Sequence, residues 1–157
     1  MKTLFSLLTL VLVATPPTLQ AADDDLAVIV NKNNSVDNLT KAQLRKLLLG
    51  EQTSWPGGKK VTVILRATGQ PERNGILRSV CGMGEEEFNQ QLMQSAFGGS
   101  TAPAPKALSS AEAVRQLVVN QPGGIGFVRI ADVNDSVKVV MVNGIAAGQP
   151  GYIIKTK

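Results

Sequence analysis

Residues 26–30 (LAVIV) form a run without a polar position. Such a short, branched apolar run predicts a strand buried on both faces, as in the sheet of an α/β protein. The polar, turn-rich stretch Asn31 to Asn38 follows. Thr40 and Gln43 then make a T-x-x-Q capping box, which predicts a helix start. Leu44, Leu47 and Leu48 share one face of that helix, and Gly50 is placed to end it. Glu51 to Lys60 reads as a loop around Trp55, Pro56, Gly57 and Gly58. Val61 to Leu65 predicts a second strand, and Arg66 to Gln70 a strand-to-helix turn. Pro71 suits the first helical position, where its missing N–H costs little. Ile76, Leu77, Val80 and Cys81 form the apolar face of that helix, which Gly82 and Gly84 close.

Glu85, Glu86 and Glu87 open the next helix, at the end where the helix dipole favours negative charge. Its apolar stripe is Phe88, Leu92 and Ala96. Gly98 to Lys106, rich in Gly, Pro, Ala and Ser, reads as a mobile surface loop. Ser109 and Glu112 form a second capping box, ahead of a helix whose face is Ala111, Val114, Leu117 and Val118. Ile125 to Val128 and Val137 to Val142 read as strands, and Tyr152 to Ile154 is a candidate edge strand. The expected architecture is α/β, a mixed sheet of about five strands flanked by about four helices.

The first residues follow a different pattern. Lys2 is their only charge, Leu4 to Val13 is almost wholly apolar, Pro16 and Pro17 break it, and Ala21 and Ala22 are small. This order predicts a cleavable signal peptide over residues 1–21. The apolar run, about ten residues, falls short of the roughly twenty that a spanning helix needs. The expected mature chain, residues 22–157, is a single domain, periplasmic or secreted, with no membrane insertion after cleavage.

Charge and residue counts narrow the chemistry. The 16 basic and 12 acidic residues leave a net charge of +4, one unit of which is Lys2. That excess makes no case for nucleic acid. The chain has no histidine, the commonest general base and metal ligand, and its single cysteine cannot form an intrachain disulfide. No catalytic triad, metal cluster or P-loop is present, so no enzymatic activity, metal or cofactor is expected. Cys81, on an apolar helix face, reads as a small buried hydrophobe. Trp55 reads as the cap of a core edge. Gly123-Gly124-Ile125-Gly126 lacks the spacing of a dinucleotide motif and reads as close backbone packing.

The turn after Leu65 is the best local candidate for a ligand. A loop feeding a helix N-terminus presents free N–H groups and positive dipole, which suit an anion. Arg66 could add a charged fork, Thr68 a hydroxyl, and Gly69 close backbone approach. The other reading is a plain turn. Pro71 removes one of the N–H groups, and Glu72 places a carboxylate in the first turn, where it would repel a bound anion and could itself satisfy the dipole.

Four blocks, in order, resemble one family. They are "LTKAQLRKLLLGEQTSWPGGKKV", "VILRATGQPERNGILRSV", "NQPGGIGFV" and "VVMVNGIAAGQPGY". From about Leu26 to Tyr152 the chain is similar to the phosphate-type substrate-binding proteins of ABC transporters. The resemblance implies a periplasmic-binding-protein-like fold, in which two lobes close on phosphate by a hinge. Family members carry an N-terminal segment that builds most of the other lobe. Here the expected signal peptide runs almost directly into Leu26, so a single lobe with half a cleft is expected. The family's phosphate loop reads Arg-x-Asp-Gly-Ser-Gly-Thr. Here Arg66 and Gly69 match, while Thr68 stands for the Asp, Gln70 for the Ser, Pro71 for the second Gly and Glu72 for the Thr. By resemblance the chain is an exported, non-enzymatic solute-binding-protein-like module. Its ligand candidates are Arg66, Thr68, Gly69 and Gln70, its candidate ligand a small oxyanion. The alternative is an envelope interaction module, docking on another protein or on a second copy that supplies the missing lobe.

Overall fold

In the computed structural model, which describes residues 23–157, every residue of β1 (Leu26–Val30) is buried. The reason is its central position in a six-stranded mixed sheet of order β2-β6-β1-β5-β3-β4. The other strands are β2 (Asn38–Leu39), β3 (Thr62–Arg66), β4 (Lys106–Leu108), β5 (Gly124–Arg129) and β6 (Lys138–Val142). The helices are α1 (Lys41–Leu48), α2 (Pro71–Ile76), α3 (Glu85–Phe97) and α4 (Ala111–Asn120). α2 runs on into a π-helical turn, Leu77–Cys81, that ends at Gly82 in the left-handed conformation. The expected signal peptide lies outside the described residues. Among the described residues no helix is long and apolar enough to cross a membrane.

Alternation along each strand sorts the core into two layers. Leu26, Val28 and Val30 of β1 join Val63 and Leu65 of β3, Ile125 and Phe127 of β5, and Val140 and Val142 of β6. That face is covered by Leu44, Leu47 and Leu48 of α1, by Ile76, Leu77, Val80 and Cys81, and by Phe88 of α3. The other face carries Ala27, Ile29, Ile64 and Val128 and packs on Val114 and Val118 of α4. Gly126 permits that approach, because a Cβ there would lie 2.8 Å from the Val114 Cγ1.

The capping box that opens α1 is present: Gln43 N–H donates to Thr40 Oγ1 at 3.1 Å, and Thr40 N–H donates to Gln43 Oε1 at 2.8 Å. At α4 the start lies one residue later than the sequence indicates. Ser110 is the cap, its Oγ accepting from Ala113 N–H at 3.1 Å. Glu112 instead accepts from Gln116 Nε2 on the same helix. Trp55 is buried and its Nε1 donates to the Gly123 carbonyl at 2.9 Å. A Cβ on Gly123 would lie 1.8 Å from the Lys60 carbonyl oxygen. The glycine-rich lead-in to β5 is therefore a backbone contact between Gly123 and the residues that lead into β3.

Three expectations need correction. Residues 152–154 are not an edge strand. Gln149 to Tyr152 make a turn, and only Lys155 bridges to Asp25. Tyr152 and Ile154 are buried instead, with the Tyr152 hydroxyl donating to the Leu26 carbonyl at 2.7 Å. Two strands, β2 and β4, were not expected, and the sheet has six. The stretch read as a loop over Gly98 to Lys106 ends a residue early, because Lys106 pairs with Ile64 as the first residue of β4.

Pairing directions place the candidate ligand loop. β3 runs parallel to β4 and β5, while β1 is antiparallel to β5 and β6. The C-terminal ends of β3 and β5 thus lie together, beside the start of β1. Arg66 closes β3 and Arg129 closes β5.

Candidate ligand-binding half-cleft

The loop after β3 is short because it is pinned at once. Ala67 N–H donates to the Leu108 carbonyl at 2.8 Å, and Gln70 N–H donates to the Ala67 carbonyl at 3.2 Å. Gly69 supplies the left-handed step, at φ 86°. A side chain there would meet no atom within 4 Å, so the dihedral angle alone asks for glycine. Gln70 then caps α2 in the extended conformation, and Pro71 takes the first helical position.

The four residues singled out from the sequence share this loop, but they do not all point at one spot. Arg66 Nη2 donates to Gln70 Oε1 at 3.1 Å, so these two form a pair. Thr68 is exposed and its hydroxyl donates to Glu85 Oε1 at 3.4 Å. Gly69 is exposed at the tip.

Three residues that the loop motif does not contain complete the site. Arg73 is buried and forms a two-pronged ion pair with Glu85, Nε and Nη2 each at 2.7 Å from a carboxylate oxygen. Its Nη1 donates to the Arg66 carbonyl at 3.3 Å, and its guanidinium lies 5.9 Å from the centre of the Phe88 ring. This geometry fits a planar guanidinium and would be lost to a lysine. Arg129, at the end of β5, donates from Nε to Glu72 Oε1 at 2.8 Å. Glu72 is 6% exposed. Its second oxygen, Oε2, and the Nε of Arg66 are buried without a hydrogen-bond partner.

The carboxyl pKa values follow from these contacts. Burial pushes Glu72 up, but Arg129, the residue's own backbone N–H and the charge of Arg66 together hold it below the ordinary value. Glu85 is held down chiefly by Arg73. Arg129 is raised in turn by Glu72, with Asp24 and Asp132 adding to the effect. Arg73 and Arg129 are thus each met by a carboxylate of the chain, while Arg66 bonds the neutral Gln70 amide. Cys81 plays no part here: it is buried, and burial pushes its thiol up to about 11.

The PBP superfamily domain matches residues 18–153. The chain belongs to this family. Among solved structures, an ABC-type phosphate transport receptor from Vibrio cholerae superposes with a TM-score of 0.65 at 23% identity, over 79% of this chain and 48% of the receptor. PstS from Borrelia burgdorferi gives 0.65 at 20% identity, over 84% of this chain and 54% of PstS. A Clostridium perfringens protein assigned to the phosphate ABC transporter substrate-binding proteins, solved with bound phosphate, gives 0.65 at 27% identity, over 79% and 47%. The chain thus spans about half the length of the solved structures it matches. The periplasmic-binding-protein-like fold that the sequence blocks imply is the fold observed.

Proposed function

We propose that this PBP-family chain is an exported, non-enzymatic module of the solute-binding type, periplasmic or secreted after removal of residues 1–21. Its ligand face is the half-cleft at the end of β3, with Arg66 supplying charge and Thr68, Gly69 and Gln70 supplying hydrogen bonds. Its hold on free phosphate is weak. The observation that carries this reading is the placement of Arg66 at the end of β3, over a glycine turn that feeds a helix. Such a turn offers charge and backbone N–H groups together. Weak binding follows from the engagement of Arg66 by Gln70 and from the buried carboxylate of Glu72 close by.

Amide chemical shifts during a titration with phosphate test the reading. Shifts at millimolar phosphate should centre on residues 66–70 and vanish in Arg66→Ala. Shifts centred elsewhere, with residues 66–70 silent, would remove the half-cleft from consideration.

One observation favours the second reading, an interaction module without a small ligand. Phe97 is 87% exposed and Met93, one turn earlier on α3, is 59% exposed. Sedimentation at rising concentration separates the two readings. A dimer lost in Phe97→Ser, with no phosphate-dependent shifts, supports the second.

A further inference from the structure

Three arginines and two glutamates gather at the loop end of β3 and β5. Arg73 and Glu85 answer each other fully and tie α2 to the head of α3. Arg66, Arg129 and Glu72 remain. Both arginines close neighbouring parallel strands; Arg129 bonds the Glu72 carboxylate, while Arg66 acts on it through its charge alone. Glu72, second residue of α2, accepts from Arg129 Nε at 2.8 Å. A guanidinium is the kind of donor that a bound oxyanion would recruit at such a site. The carboxylate is more than nine-tenths buried, and Oε2 has no partner. A glutamate serving only as a surface ion pair would keep that oxygen in water.

We infer that Glu72 is a built-in stand-in for a ligand anion: its buried carboxylate occupies Arg129 and, by its charge beside Arg66, holds free inorganic oxyanions off. This rests on the half-cleft reading above and adds a residue that controls it. The consequence is a gain of function on removing one charge. Glu72→Gln keeps the shape and a hydrogen-bond acceptor for Arg129, but ends both the competition and the repulsion.

Sulfate is the probe, since its charge stays constant across neutral pH. Calorimetric titration at low salt should show Glu72→Gln binding sulfate about tenfold or more tighter than the wild type, the scale of one removed like charge near the site. Adding Arg129→Gln should abolish the gain. Glu72→Thr, which is smaller, repeats the test in case the glutamine variant is poorly folded. As a second readout, sulfate should raise the melting temperature of the folded variant more than that of the wild type, by binding its folded state. A folded Glu72→Gln that binds sulfate no tighter than the wild type overturns the inference, as does an equal sulfate effect on all melting temperatures. Arg66→Ala in the Glu72→Gln background separates the two claims. Binding kept there upholds Glu72 as the stand-in through Arg129, and removes Arg66 from the ligand face.

Discussion

Glu72 and Arg129, 57 residues apart in the chain, meet at 2.8 Å where α2 begins and β5 ends. The pair joins the start of α2 to the central sheet. Its two members are unequally buried, with side-chain exposures of 8% for Glu72 and 36% for Arg129. Removing the arginine therefore leaves a buried carboxylate without its principal partner. We predict that Arg129→Ala lowers unfolding stability by about 1–3 kcal/mol, the cost of an orphaned buried polar group. Urea denaturation followed by circular dichroism measures it. A change within a few tenths would show that Glu72 is solvated.

Acid should act through the same loop. Glu72 and Glu85 are both held below the ordinary carboxyl value of 4.5. The unfolded chain then binds more protons than the folded one in the window below that value. Their contribution is thus fully present above pH 4.5 and is lost as pH falls through the folded values. Stability measured from pH 6 downward should decline below about pH 4.5, and Glu85→Gln should flatten the decline. An unchanged slope in that variant would contradict the Arg73–Glu85 assignment.

How much of this was legible in advance depends on the kind of signal. β1 announced itself, because a strand at the centre of the sheet must be apolar on both faces. The Thr40–Gln43 box and the apolar faces of the helices were legible for the same local reason. β2 and β4 were not. Asn38–Leu39 and Lys106–Leu108 are edge strands of two and three residues, recruited by backbone pairing and without an alternating pattern. The start of α4 slipped by one because Ser109 and Ser110 both suit a cap, and only geometry chooses between them. At the site, Arg66 and the conflict at Glu72 could be read from the loop. Arg73, Glu85 and Arg129 could not, since parallel pairing of β3 with β5 and the turn at Gly82 bring them there. An arginine at the end of the predicted Ile125–Val128 strand was the one available hint.

Two glycines should separate space from dihedral angle. Gly123→Ala puts a methyl group 1.8 Å from the Lys60 carbonyl, a clash with backbone that cannot swing aside. It should cost about 3 kcal/mol or more, the upper end for overpacking. Gly69→Ala meets no atom and should cost only the left-handed backbone, about 1 kcal/mol. Thermal melts of both variants check the order; the reverse order would show that the β3 and β5 lead-ins are loosely packed.

Cys81 should be inert in the folded protein. Its thiol is buried and shifted up to about 11, so little thiolate exists at pH 8. Reaction with a chromogenic disulfide should be slow in native buffer and immediate in denaturant. Fast native labelling would mean that the π-helical turn opens readily.

The central claim is that the arginine at the end of β3 is held by Gln70 and stands beside a buried carboxylate, Glu72, that opposes a bound anion. Isothermal titration of the wild-type chain with phosphate, at low salt and neutral pH, tests it most directly. The account predicts no saturable heat at micromolar phosphate. Micromolar binding that disappears in Arg66→Ala would contradict it.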